Sequence, residues 1–203
     1  MAALAGTEAD VRRAASVAAL ALVGLLVPAG TTRAEPAPAK LVPAQSEIAF
    51  QLKQSGVPID GKFGRFDAQL ALDPKAPQGG SVTVSIDTAS ASVGFADTDA
   101  ELPRAAWFDS TRFPRAVFRS SAITALGGGR FQAAGRLELK GTSRELVVPV
   151  TILQSGAQST AIGEFTLRRL DYKIGDNEWS DVSLVANDVR VRFKLVFTGL
   201  GSP

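Results

Sequence analysis

Apolar and polar residues alternate with a period of two through most of this chain, a period that suits strands and not helices. The cleanest run lies near the C-terminus, where Val189, Val191, Phe193, Leu195 and Phe197 alternate with Arg190, Arg192 and Lys194. Successive side chains of a strand point to opposite faces, so this run has one apolar face and one wet face. The same pattern recurs at Ile48, Phe50 and Leu52, at Phe66, Ala68, Leu70 and Leu72, and at Val82, Val84 and Ile86. Runs at 118–126 and 130–139, the latter carrying Leu137 and Leu139, flank Gly127-Gly128-Gly129, a hairpin signal. Val148, Val150 and Ile152 follow, with Pro149 on the opposite face hinting at an edge or bulge, and then Phe165 and Leu167.

About eight strands with almost no helix predict an all-β fold. Closed on itself, an eight-stranded antiparallel sheet encloses room for side chains or one small ligand and leaves no exposed edge. Parity predicts Phe50, Leu70, Val84, Ile86, Phe118, Leu137, Val150, Phe165, Val191 and Phe193 inside, with Lys53, Arg136, Glu138, Arg190 and Arg192 in water. Leu52, Phe66, Leu139 and Leu167 join the inward set, and the small Ala68 and Ala133 leave space.

Residues 88–112 break the period and read as a short helix or helical turn. Trp107 and Phe108 are neighbours, so a strand would send them to opposite faces. Both reach one apolar surface only from a turn or short helix, and Pro114 then returns Phe113 to extended geometry. The stretch is either an aromatic plug bordering a cavity or an aromatic corner of an ordinary core.

The chain contains no His and no Cys. That excludes Ser-His-Asp and Cys-His nucleophilic sites, His- or Cys-ligated zinc, iron–sulfur clusters and disulfides. A formal charge of +2, with no basic run interleaved with aromatics, argues against nucleic acid as a partner. Asp97, Asp99 and Glu101 have the oxygen ligands calcium takes, but not the Gly and distal Glu of an EF-hand loop. They read as a solvated acidic loop or short helix, and they give no support to paired-carboxylate catalysis.

Residues 1–34 read as a secretory leader: Arg12 and Arg13, an apolar run from Ala14 to Val27, then small residues at Ala29 and Ala34. The run falls short of the ~20 residues that span a bilayer. Residues 35–43 form a Pro-rich linker, and residues 44–200 the barrel domain, with a periplasmic or secreted location expected.

The segments Ser46-Glu47-Ile48-Ala49-Phe50, Gly61-Lys62-Phe63-Gly64-Arg65-Phe66-Asp67, Asp87-Thr88-Ala89-Ser90, Trp107-Phe108-Asp109, Phe118-Arg119-Ser120 and Gly135 to Thr142 occur in this order. In that order they resemble the YceI family across nearly all of the predicted mature chain. The resemblance implies an exported, extended lipocalin-like barrel that holds a polyisoprenoid or isoprenoid-quinone tail, with no covalent cofactor. Many relatives carry a His before the aromatic segment and another before the Gly at 141; here the first is missing and Lys140 takes the second place. The stretches Lys53 to Pro58 and Glu178 to Asp181 resemble a branch associated with cytochrome b561-type membrane proteins.

Three functions follow from these readings. The first is a non-enzymatic carrier, store or sensor of an isoprenoid tail, in transient contact with a membrane. At ~0.8 kcal/mol per CH₂, a tail of forty carbons would nominally release about 30 kcal/mol on leaving water. That exceeds the ~20 kcal/mol ceiling on noncovalent affinity, so exchange with a membrane is the relevant comparison. The second is a ligand-free module docked on a membrane redox partner. The third, an outer-membrane barrel, needs aromatic girdles, and the chain has one Tyr and two Trp.

Overall fold

The structure, a computed structural model, describes residues 38–200. The leader reading of residues 1–34 lies outside them. In chain order the strands are β1 (Lys40–Leu41), β2 (Glu47–Gln54), β3 (Val57–Phe63), β4 (Phe66–Ala71), β5 (Ser81–Asp87) and β6 (Ala91–Ser92). The helix α1 (Ala96–Glu101) precedes β7 (Arg115–Gly127), β8 (Arg130–Leu139), β9 (Thr142–Ser155), β10 (Gln158–Arg168) and β11 (Asp188–Thr198). One antiparallel sheet runs β4-β5-β7-β8-β9-β10-β11-β2-β3-β6 and curls into a lipocalin-like half-barrel.

The eight runs read from periodicity are β2, β4, β5 and β7 to β11. Strand β3 is hidden from periodicity because Pro58 and Gly61 interrupt its pattern, yet it pairs with β2 from Gln54↔Val57 to Ala49↔Lys62. Residues 39–41 also differ from expectation. Instead of ending a linker they enter the sheet, with Ala39 bridging Leu70 of β4 and β1 pairing with Phe197 and Thr198 of β11. Ala39 and Leu41 are buried, so this segment ties the free edge of β4 towards β11.

Turn chemistry sets the hairpins. Lys140 (φ +46°) and Gly141 (φ +69°) form a two-residue link between β8 and β9, the left-handed pair that suits the twist of the strands. The three glycines at 127–129 all have positive φ, as the β7–β8 hairpin requires. Strands β9 and β10 pair only between Thr151↔Ile162 and Ser155↔Gln158, although both continue well past that ladder. Pro149 sits on β9 just beyond its end, where no donor towards β10 is needed.

Gly163 faces Phe193 across β10–β11, and the phenyl ring lies where a Cβ would stand. Gly163→Ala would also press on the Pro149 carbonyl oxygen at 2.5 Å, a backbone atom that does not yield cheaply. The variant should lose about 1–3 kcal/mol, the usual cost of overpacking. At Gly79 an added methyl meets nothing within 4 Å. Urea unfolding should leave Gly79→Ala within ~0.5 kcal/mol of the parent; equal losses at both positions would overturn the packing argument.

Candidate ligand cavity

The inner face of the curled sheet does not close on itself. It leaves two adjoining cavities, with about 940 Å³ and about 780 Å³ of atom-free space counted out to their mouths. The larger is walled by apolar residues of β2, β4, β5 and β7 to β11. Among the predicted residues it takes Leu70, Val84, Ile86, Phe118, Leu137, Val150, Phe165, Val191 and Phe193. The smaller takes Phe50, Leu52, Trp107, Phe108, Leu139 and Leu167, and shares Ile86, Leu137, Phe165 and Val191 with the larger.

Phe66 is the exception. It lies at the inward parity of β4 but packs into the apolar core and lines neither cavity. The charged set Lys53, Arg136, Glu138, Arg190 and Arg192 is exposed, as parity predicts. Val84, Ile86, Val191 and Phe193 stay only partly buried although they face inward, because part of each side chain opens onto the void.

The smaller cavity is covered by the aromatic stretch. Residues 102–113 form successive turns, which let Trp107 and Phe108 face one cavity despite being neighbours. Phe108 meets Phe63 edge-on at 5.8 Å, and Phe63 in turn lies 5.3 Å from Phe50. Trp107 lies 5.7 Å from Trp179, so the two tryptophans of the chain stand together at this end. Thr88, fully buried, donates to the Phe113 carbonyl at 2.8 Å and anchors the far end of the stretch.

Two cations hold the cover in place. Arg169 is 1% exposed, and its guanidinium donates to the carbonyls of Ala186, Ile174, Gly175, Trp179 and Val185 at 2.6–3.0 Å. Those contacts use all five N–H groups a guanidinium has. Among the described residues no carboxylate forms an ion pair with it, and burial lowers its pKa from the usual arginine value. Periodicity contained the clue: Arg169 continues the inward parity of Phe165 and Leu167, where a charge is out of place.

Lys140 is the second. Its Nζ donates to the carbonyls of Lys173 at 2.6 Å and Ala106 at 3.2 Å, joining the aromatic stretch to the loop after β10. Asp176 Oδ1 stands 3.7 Å away. Burial lowers the Lys140 pKa, opposed by Asp176 and Asp109. The unfolded chain therefore binds this proton more tightly, so stability rises as pH climbs through the folded value towards the ordinary lysine range. The melting temperature of the parent minus that of Lys140→Met should grow as pH rises through that window towards the ordinary lysine value of 10.5. A flat difference would show the ammonium to be free of any burial penalty. Tyr172, whose pKa burial raises, has the opposite sign, and taking the difference cancels it.

Two of the three acidic residues serve the local fold. Asp99 accepts from Ser92 Oγ and the Val93 N–H, both at 2.6 Å, while Glu101 pairs with Arg104 at 3.0 Å. Among the described residues no group of three or more metal-ligating side chains converges.

Comparison with known proteins agrees with this architecture. A crystal structure of BcnA from Burkholderia cenocepacia superposes with a TM-score of 0.75 at 36% identity, covering 77% of this chain and 99% of that one. A polyisoprenoid-binding domain from Saccharophagus degradans has the same fold, with a TM-score of 0.65 at 14% identity over 80% of this chain and 98% of that one. A UPF0312 protein of Vibrio cholerae is 28% identical over 114 residues, 56% of this chain and 60% of that protein. The chain thus spans less than two thirds of that relative's length. The model of the YceI-like domain matches residues 40–197, from the first strand almost to the end of the last. By sequence over that span and by the curled sheet it folds into, the chain belongs to the YceI-like family.

Proposed function

We propose that this protein is an exported, non-enzymatic binding protein that holds a long isoprenoid tail, of a polyisoprenoid or a quinone, and acts as a carrier, store or sensor. The observation that carries the proposal is the pair of adjoining cavities lined by apolar side chains. Arg169 alone brings a charge to the lining, and each of its N–H groups already donates to a carbonyl. A polar head group therefore finds no free cationic donor inside and stays at a mouth, while the hydrocarbon fills the interior. An unfilled void deprives its lining of contacts, which favours an occupant.

The polyisoprenoid-binding domain of Saccharophagus degradans shares this fold and supports a tail as the occupant. A membrane is already apolar, so the net preference of a tail for the protein is small, and reversible exchange suits a carrier better than a sink. No feature of the described residues points to a cytochrome b561-type partner; tail binding by itself accounts for the cavities.

Mass spectrometry of a solvent extract from native protein tests the ligand. An isoprenoid at near-stoichiometric amount is expected, and an extract holding only fatty acids, or nothing, would overturn the reading. Export is tested by N-terminal sequencing of protein from the exporting cell. The mature chain should begin near Gly30 or Glu35, and retention of Met1 would refute it.

A further inference from the structure

Five residues line both cavities: Ile86 of β5, Ala116 of β7, Leu137 of β8, Phe165 of β10 and Val191 of β11. They form a belt around the inside of the sheet. Ile86 stands opposite Ala116 in the β5–β7 register, and Phe165 opposite Val191 in the β10–β11 register. Four carry branched or aromatic side chains, and Ala116 carries a single buried methyl. The belt is where the two compartments meet, and Ala116 presents its smallest side chain.

We propose that Ala116 determines the length of hydrocarbon tail this protein accepts, because its small side chain lets a tail pass from one compartment into the other. The proposal rests on the tail-binding reading and refines it from a class of ligand to a range of lengths. Along β11 the larger cavity runs from Val191 to Phe197, roughly 20 Å at the strand rise, and Val189 of the smaller cavity extends this to roughly 26 Å. A tail gains from each buried CH₂ only while there is room for it. With an open belt the gain continues into the second compartment. With a large side chain at 116 it stops at the first, and the remaining carbons stay in water or fold back.

The other parts of the belt do not offer the same control. Phe165 and Val191 already project into it, so only position 116 can be enlarged to close the passage without first removing another side chain. Neither compartment depends on Ala116 for the rest of its wall, so a plug there leaves the larger cavity able to hold a short tail.

Delipidated parent protein, Ala116→Phe and the milder Ala116→Leu are each offered farnesol, geranylgeraniol or solanesol, which lengthen in that order. Alcohol retained after gel filtration is measured per folded molecule, with melting curves confirming the fold of each variant. The parent should retain solanesol best. In Ala116→Phe the ratio of solanesol to farnesol retained should fall about tenfold or more, with farnesol losing far less than solanesol and Ala116→Leu in between. An unchanged ratio in a folded variant, or equal loss of all three alcohols, overturns the role of Ala116 and leaves tail binding standing. If Ala116→Phe does not fold, Ala116→Leu decides by the same ratio. Failure of the parent to retain any of them overturns tail binding, and this inference with it.

Discussion

Arg169→Met should lower the melting temperature by roughly 10 °C or more, a loss of about 3–5 kcal/mol for a domain of this size. Methionine approximates the length of the stem, so the apolar contact with the smaller cavity is largely kept. The loss comes from the carbonyls. Those of Ile174, Gly175, Trp179, Val185 and Ala186 belong to a loop that no strand ladder serves, and the Arg169 guanidinium is their shared donor. A buried acceptor left unpaired costs about 1–3 kcal/mol, and the loop can limit the sum only by opening to water. Hydrogen exchange should therefore speed up between residues 173 and 187 well before the sheet is affected. Arg169→Lys should recover little, since an ammonium offers three donors from one point where a planar fork offers five. A loss below ~1 kcal/mol with loop protection unchanged would mean that water replaces the guanidinium without strain.

Trp107→Ala should remove more ligand than stability. Trp107 is half-buried, lines the smaller cavity and rests against Trp179, so it has void on one side where a core residue has neighbours. Its removal should cost about 1–2 kcal/mol in delipidated protein, while lipid per folded molecule falls severalfold. Leu41→Ala provides the contrast. Leu41 is buried in the apolar core, lines neither cavity and pairs with Phe197 of β11. Truncation there should cost about 3–5 kcal/mol, as deletion of a packed leucine does. If Trp107→Ala instead melts like Leu41→Ala and keeps its lipid, the aromatic stretch is a packed corner and not a cover.

Parity along the strands identified the cavity wall because a strand turns its side chains through a half-circle at each residue. Phe50, Leu137, Phe165 and Val191 needed nothing more to be placed inside. Phe66 shows the limit of that rule: parity selects a face, but only packing decides whether a residue on it meets a void or another side chain. Ile48, Phe131, Ala133, Leu195 and Phe197 share the inward parity and line the larger cavity, though the sequence alone did not rank them as ligand contacts.

Local period, turn residues and the order of short segments suffice to read the fold class, the antiparallel order of hairpins and the family from the amino-acid sequence. Strand β3 escaped it because Pro58 and Gly61 hide a period that pairing with β2 enforces. Long-range packing alone brings Ala39 to Leu41 into the sheet, links the Ala106 turn to Lys173 through Lys140, and sets Arg169 to serve a loop up to seventeen residues away. Such contacts join segments far apart in the chain, and no local pattern encodes which carbonyl a buried cation will meet. The division of the interior at Ala116 is of the same kind: an alanine on a strand says nothing until five strands bring their side chains to one belt.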